Sequence, residues 1–153
     1  MTYNIRAATI DDAATIAPLL READKNEVRA LSGWTPKEAI EYSISHSDEA
    51  WFVSCPDGHP ILITGIGEGI PWMLATPMVK RYGKSLIKEG RKLVGRWTKK
   101  YGYLCNYVDA RNDTHVDWLI AMGFIVYTAE FCYIGRDSEV PFHYFNRRET
   151  RCA

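Results

Sequence analysis

Apolar and polar positions alternate along the chain in a way that predicts a succession of short strands and amphipathic helices. Residues 3–7 alternate and predict a first strand. Thr9, Asp11 and Asp12 supply cap and first-turn residues for a helix in which Ile16, Leu19, Leu20 and Ala23 form one apolar stripe. Residues 24–33 are densely charged and predict a connector. Thr35-Pro36, with Glu38 three residues after the threonine, forms a capping box with proline at the first helical position, and predicts a helix to about Ser45. Residues 50–55 and 60–66 read as two strands of a hairpin joined by Pro56-Asp57-Gly58. Gly65, Gly67 and Gly69 follow at alternate positions, and a short strand over 71–76 leads into Pro77.

From 79 to 101 the pattern is helical, with Leu86, Leu93, Val94 and Trp97 on one face and lysines and arginines over much of the rest. Gly90 and Gly95 each weaken this helix by up to about 1 kcal/mol relative to alanine. Residues 104–110 predict a strand. Asn112 and Asp113 cap a helix through Met122, which Gly123 ends. Residues 124–134 are apolar and rich in β-formers, so they predict a long strand, with a short final one over 143–145. The order β-α-α-β-β-β-α-β-α-β-(β) excludes a doubly wound sheet. It predicts a single α/β (α+β) domain, a mixed β-sheet flanked by helices over residues 1–140, with 141–153 as a C-terminal strand and tail.

Length and composition sharpen this. The chain has 153 residues, ordinary for one domain, and a hydrophobic fraction of 46% is enough for a real core. Nineteen basic residues balance nineteen acidic ones, so no global field attracts nucleic acid or anionic lipid. No run of about twenty apolar residues predicts a membrane span, and residues 1–6 lack the pattern of a signal peptide. Cys55, Cys105, Cys132 and Cys152 form no C-x-x-C pair, which predicts a reduced, cytosolic-type protein without a zinc site. The first three lie in apolar runs and are expected as buried thiols, and the basic run 146–151 as a solvated tail.

The chemistry concentrates where the strand ending at Thr76 delivers a loop onto the long helix. Unpaired backbone N–H groups and the helix dipole favour an anion there. The loop reads Lys80-Arg81-Tyr82-Gly83-Lys84-Ser85: three cations, a glycine that lets backbone approach a ligand, and a small serine. This run resembles the pyrophosphate loop of the GCN5-related N-acetyltransferase (GNAT) superfamily, Gln/Arg-x-x-Gly-x-Gly/Ala, with Lys80, Gly83 and Ser85 at the signature positions. Asn112-x-x-His115-x-x-Trp118-Leu119-x-x-x-Gly123-Phe124 is similar to the family's Asn-x-x-Ala-x-x-Leu-Tyr-x-x-x-Gly-Phe element. Ile5-Arg6-x-Ala8-Thr9-x-x-Asp12 resembles its opening, so the likeness spans nearly the whole chain. A narrower resemblance is to the internal virion protein A family of short-tailed bacteriophages, itself acetyltransferase-like in fold. It rests on Trp72, Gly83-Lys84, Asn106-Tyr107-Val108, and Asn112-x-x-His115 followed by Gly123.

The superfamily resemblance implies acetyl-CoA as cofactor, with Thr76, Lys80, Arg81, Tyr82, Gly83, Lys84, Ser85 and Asn112 as its candidate binding residues. Acyl transfer to an amine needs a base for the amine proton, oxyanion stabilisation and an acid for the leaving thiolate. The family's acid is the tyrosine of the second signature, where this chain has Leu119. Tyr107, Tyr127 and His115 are the substitutes to weigh, and Glu68 and Asp109 the candidate bases. Two readings follow. In one, a phage virion or morphogenesis component keeps the fold with a degenerate acyl-CoA cleft and binds a phage or host protein, in the virion and the host cytoplasm. In the other, the chain is an active acetyl-CoA-dependent N-acetyltransferase acting on a host protein or a small amine.

Overall fold

The computed structural model describes residues 2–150. Strands β1 (Asn4–Ala7), β2 (Glu49–Ser54), β3 (Pro60–Gly67) and β4 (Ile70–Ala75) form an antiparallel sheet in that order. Strands β5 (Tyr103–Asp109), β6 (Ile125–Val126) and β7 (Phe142–Arg148) form a second sheet with β7 in the middle. The pleat sends Phe52, Ile63 and Leu74 to one face, where they meet helices α1 (Asp12–Ile16), α2 (Glu22–Ser32) and α3 (Pro36–Ser45). Val53, Leu62 and Ala75 point the other way and pack under the start of helix α4 (Gly83–Tyr101). The rest of α4 and helix α5 (Asp113–Ala121) bury Trp97, Leu119 and Met122 against Leu104, Val108 and Phe145 of the second sheet.

The two sheets adjoin at only one end. Cys105 N–H donates to the Gly69 carbonyl at 3.2 Å, and Asn106 Nδ2 donates to the Pro71 carbonyl at 2.8 Å. Numbering rises together through both contacts, so β4 and β5 run in the same direction and complete the mixed arrangement. Beyond Pro71 no ladder joins them. Their C-terminal ends are instead bonded to α2: Ala75 N–H to Asp24 at 2.8 Å, and Asp109 N–H to Glu27 at 2.8 Å. A gap therefore opens between the strands.

Several predicted elements form as the pattern requires. The Thr35 hydroxyl accepts from Glu38 N–H while Glu38 accepts from Thr35 N–H, the reciprocal box that starts α3. Gly123, at φ 99°, takes the left-handed conformation that ends the α5 segment. Other expectations are corrected. Residues 24–33 are no connector: most of them belong to α2, whose acidic residues sit at helical spacing and turn partly inward. The predicted helical start at 79 is a separate 3₁₀ turn, Pro77–Lys80, capped by Thr76, and α4 begins at Gly83.

The long strand over 124–134 shrinks to Ile125–Val126. After Tyr127 the chain leaves β7, touches it again through a single bridge between Cys132 and Phe142, and then bonds to the end of α2. Arg136 and Asp137 N–H groups donate to the carbonyls of Leu31 and Ala30 at 3.0 Å each, satisfying orphan groups of that helix. Strand propensity reports fit to a pleated, half-buried surface, and this segment has no such surface to lie on. The final strand is correspondingly longer than 143–145, and residues 146–148 of the basic run belong to it. Asn146 is buried in β7, while Arg151 and Cys152 lie outside the described residues. Cys55 is buried, whereas Cys105 and Cys132 are half-buried.

Candidate functional site

Two polar centres flank the gap. The first is the start of α4. Leu86 N–H is bonded to the Tyr82 carbonyl, and Tyr82 provides no side-chain cap, so the N–H groups of Gly83, Lys84 and Ser85 open the helix uncapped. Lys80, Arg81 and Lys84 surround this end, exposed and without an acidic partner within 4.0 Å among the described residues. A Cβ on Gly83 would meet only Trp118 Cζ2, at 3.8 Å, so what glycine provides here is an open approach to backbone. Ser85 Oγ lies 3.3 Å from the Tyr3 hydroxyl. Dipole, free donors and cations are the ingredients an anion site requires.

The second centre is buried at the open end of the gap and is built mainly by α2. Asp24 is 1% exposed and accepts from Ala75 N–H, from Asn112 Nδ2 at 2.8 Å and from Arg21 Nη1 at 3.2 Å. Arg21 N–H returns a bond to the Ala75 carbonyl at 2.9 Å. Glu27 lies one turn further along α2, with Oε1 on Asp109 N–H and Oε2 3.8 Å from His115 Nδ1. Burial, with Asp24 and Asp109 close by, pushes the Glu27 carboxyl up to about 8. Burial pulls the His115 imidazole below its usual value, and its Nδ1 has no hydrogen-bond partner among the described residues. Asn112 caps α5 through His115 N–H, which fixes the histidine on the first turn.

The predicted site residues therefore separate. Lys80, Arg81, Gly83, Lys84 and Ser85 come together at α4. Thr76 and Tyr82 turn inward: the Thr76 hydroxyl donates to the Pro60 carbonyl at 2.8 Å, and the Tyr82 ring packs edge-on against Tyr3. Asp109, His115 and Asn112 join the buried centre, where Asp109 is held by Arg111 at 2.7 Å. Glu68 stands apart on the β3–β4 turn, at φ 54°, exposed, with Gly69 also at positive φ. Tyr127 stacks on Tyr144 and Tyr107 packs against it at a tilt, on the sheet face opposite Phe145 and Val108. Leu119 is 5% exposed within the core, with no hydroxyl to offer. Sequence reasoning missed Arg21, Asp24 and Glu27. The spacing Asp24, Glu27, Val28, Leu31 was the available signal, an inward-facing helical stripe whose first two members are acidic.

A cavity of about 950 Å³ runs from Leu86, in the first turn of α4, to Glu27 and His115 of the buried centre. One lobe lies against α2 and α3, lined by Leu31, Trp34, Tyr42 and His46. The other lies between the first sheet, α4 and α5, lined by Thr64, Met73, Leu86, Leu93 and Trp118. Pro71 and Asn106 line it at the bonded end of the gap, and Glu27 and His115 at the open end. The bond from Thr76 N–H to the Ile61 carbonyl sets the alternation along β4, so Met73 N–H faces the gap, where it meets no acceptor among the described residues. No helix among the described residues is long and apolar enough to cross a membrane.

No protein-family model matches this chain, and no curated protein matches it. Solved structures do. An acetyltransferase of the GNAT family from Bacillus anthracis superposes with a TM-score of 0.67 at 9% identity, covering 97% of this chain and 95% of that one. A GNAT-superfamily phosphinothricin acetyltransferase from Sinorhizobium meliloti, in complex with acetyl-CoA, gives 0.65 at 13% identity, covering 97% and 89%. A protein from Acinetobacter baylyi assigned as an acetyltransferase gives 0.71 at 15% identity, covering 97% and 93%. At these identities the likeness concerns architecture, and the chain has the fold of the GNAT-superfamily acetyltransferases.

Proposed function

We propose that the chain binds an acyl-CoA thioester, acetyl-CoA first among them, and transfers its acyl group to a primary amine. The observation that carries this reading is the cavity lined by Leu86, one turn past the uncapped N–H groups of α4, and by Glu27 and His115 in the gap. A pyrophosphate on Gly83, Lys84 and Ser85, among Lys80, Arg81 and Lys84, lets the acyl arm run along the α4–α5 lobe toward the gap. An amine reaches the same gap from the α2–α3 lobe. Attack on the thioester carbon places negative charge on the carbonyl oxygen, and Met73 N–H is the free backbone donor facing that position. Solved neighbours bound to acetyl-CoA support the cofactor. The test is isothermal titration with acetyl-CoA together with thiol release over a panel of amines. Saturable binding with amine-dependent thiol release supports the reading, and the absence of binding sinks it.

One observation favours a second reading. Leu119 is buried where the family's acid would stand, and the edge donors of Ala75 and Asp109 are already taken by Asp24 and Glu27. On that reading the cleft is degenerate, and the chain serves as a phage virion component that binds a phage or host protein, as the internal virion protein A resemblance implies. Saturable binding with no thiol release, and the chain's presence in purified particles, would favour it.

A further inference from the structure

We infer that Glu27 and His115 form the acid–base pair of the acyl transfer, in place of the acid that Leu119 cannot supply. The inference rests on the acyl-transfer reading and adds residues to it. Both side chains line the cavity. They come from opposite sides of the gap, α2 and α5, and approach to 3.8 Å. His115 lies one helical turn before Leu119, on the side of α5 that faces the same core. Its Nδ1 is buried and has no hydrogen-bond partner among the described residues, which is costly unless a ligand or a proton transfer uses it.

The neighbours explain why these two groups, and no others in the cluster, are free to act. Asp24 is committed to Ala75 N–H, Asn112 and Arg21. Asp109 is clamped by Arg111 through both carboxylate oxygens. Glu27 spends one oxygen on Asp109 N–H and keeps the other toward His115. Around the pair stand Arg21 and Asp24 from α2, Asp109 from β5 and Arg111 from the turn after it, so nearby positive and negative side chains are matched. Burial then favours the neutral form of each: a protonated Glu27 and an unprotonated His115.

Those forms suit the reaction. The amine nitrogen attacks the thioester carbon and becomes a substituted ammonium, and the neutral imidazole takes its proton. As the carbon–sulfur bond breaks, the protonated Glu27 carboxyl gives its proton to the departing thiolate. The imidazolium then returns a proton to the Glu27 carboxylate across their short separation. The amide and the free thiol leave, and both side chains regain their starting states.

Glu27→Gln and His115→Gln test this. Glutamine at 27 keeps an acceptor for Asp109 N–H, so the strand end stays tied, and retained acetyl-CoA binding by calorimetry checks the fold of each variant. Hydroxylamine serves as a small acceptor that needs no dedicated pocket, with its uncatalysed reaction subtracted. The expected result is unchanged acetyl-CoA affinity with kcat at least about 100-fold lower in each variant, and a wild-type pH profile that loses its alkaline limb in Glu27→Gln. Wild-type turnover in both variants overturns the pair and leaves the acyl-transfer reading standing. Acetyl-CoA binding by the wild type with no thiol release overturns the pair and acyl transfer together, and the absence of binding removes the cofactor as well.

Discussion

The start of α4 and the plug of α2 side chains in the gap are both polar, both lie beyond the C-terminal end of β4, and could hardly be built more differently. At α4 the donors are backbone, the cations are exposed, and nothing among the described residues satisfies them. In the gap the donors of Ala75 and Asp109 are already met by Asp24 and Glu27, and almost every group is buried and paired. The first region is poised to take a ligand's charge. The second ties the strand ends to α2 and, among the described residues, leaves Met73 N–H and the Glu27–His115 contact uncommitted. A centre that carries both structure and chemistry resists substitution, whereas an anion site made of backbone and surface lysines tolerates it.

The sharpest way to break that contrast is to empty the gap. Asp24→Ala strands Arg21, Asn112 and the Ala75 N–H in a buried setting, and removing one partner of such a cluster costs about 3–5 kcal/mol. Denaturant unfolding should show that loss. A change below about 1 kcal/mol would mean the cluster is far wetter than its 1% exposure implies.

Gly83→Glu separates the regions from the other side. The new side chain has room, and its charge at a helix N-terminus is worth up to about 1 kcal/mol in favour of the fold. Acetyl-CoA affinity should nevertheless fall by at least about tenfold, since a carboxylate would sit among the phosphate donors. Calorimetry and thermal melting on the same sample read both effects.

The buried pair gives stability a pH dependence that surface lysines cannot. Glu27 titrates at about 8 in the folded chain against an ordinary 4.5, so between those values the folded state holds a proton the unfolded state has lost. Its contribution is fully present below about 4.5 and disappears as pH rises through 8. His115 has the opposite sign. Its folded value lies below 6.5, so its contribution is present above 6.5 and is lost on acidification through the lowered folded value. Denaturation midpoints from pH 4 to 9 should therefore fall at both ends, and Glu27→Gln should flatten the alkaline side alone. The smallest effect belongs to Lys84→Ala. Stability should move by less than about 0.5 kcal/mol, while acetyl-CoA binding weakens and depends less on salt.

The same contrast decides what the sequence made legible. The α4 loop, the Thr35–Glu38 box and the Asn112–Gly123 helix are local: their residue types at their spacing state their role. The gap is assembled from α2, β4, β5 and α5, and its members are far apart in the chain, as with Asp24 and Asn112, separated by 88 positions. A dense run of charge reads as solvated because burial of acids is rare. Nothing in residues 21–27 announces that backbone N–H groups from two distant strands will meet them. The failure at 124–134 has the same origin: Phe131, Tyr133 and Ile134 have strand propensity, but the only backbone bridge described between this segment and β7 after Tyr127 is the one at Cys132, and they end exposed. The fold was readable because it is a sequence of local elements, and the buried centre was hidden because it is not.

The most direct test of acyl-CoA binding at α4 and along β4 is an amide titration. Uniformly ¹⁵N-labelled protein is titrated with acetyl-CoA, and backbone shifts are mapped by residue. The largest saturable shifts are expected at Gly83, Lys84 and Ser85, with Met73 following as the acyl arm enters the gap. Saturable shifts confined to other parts of the chain, or none at all, would contradict the account.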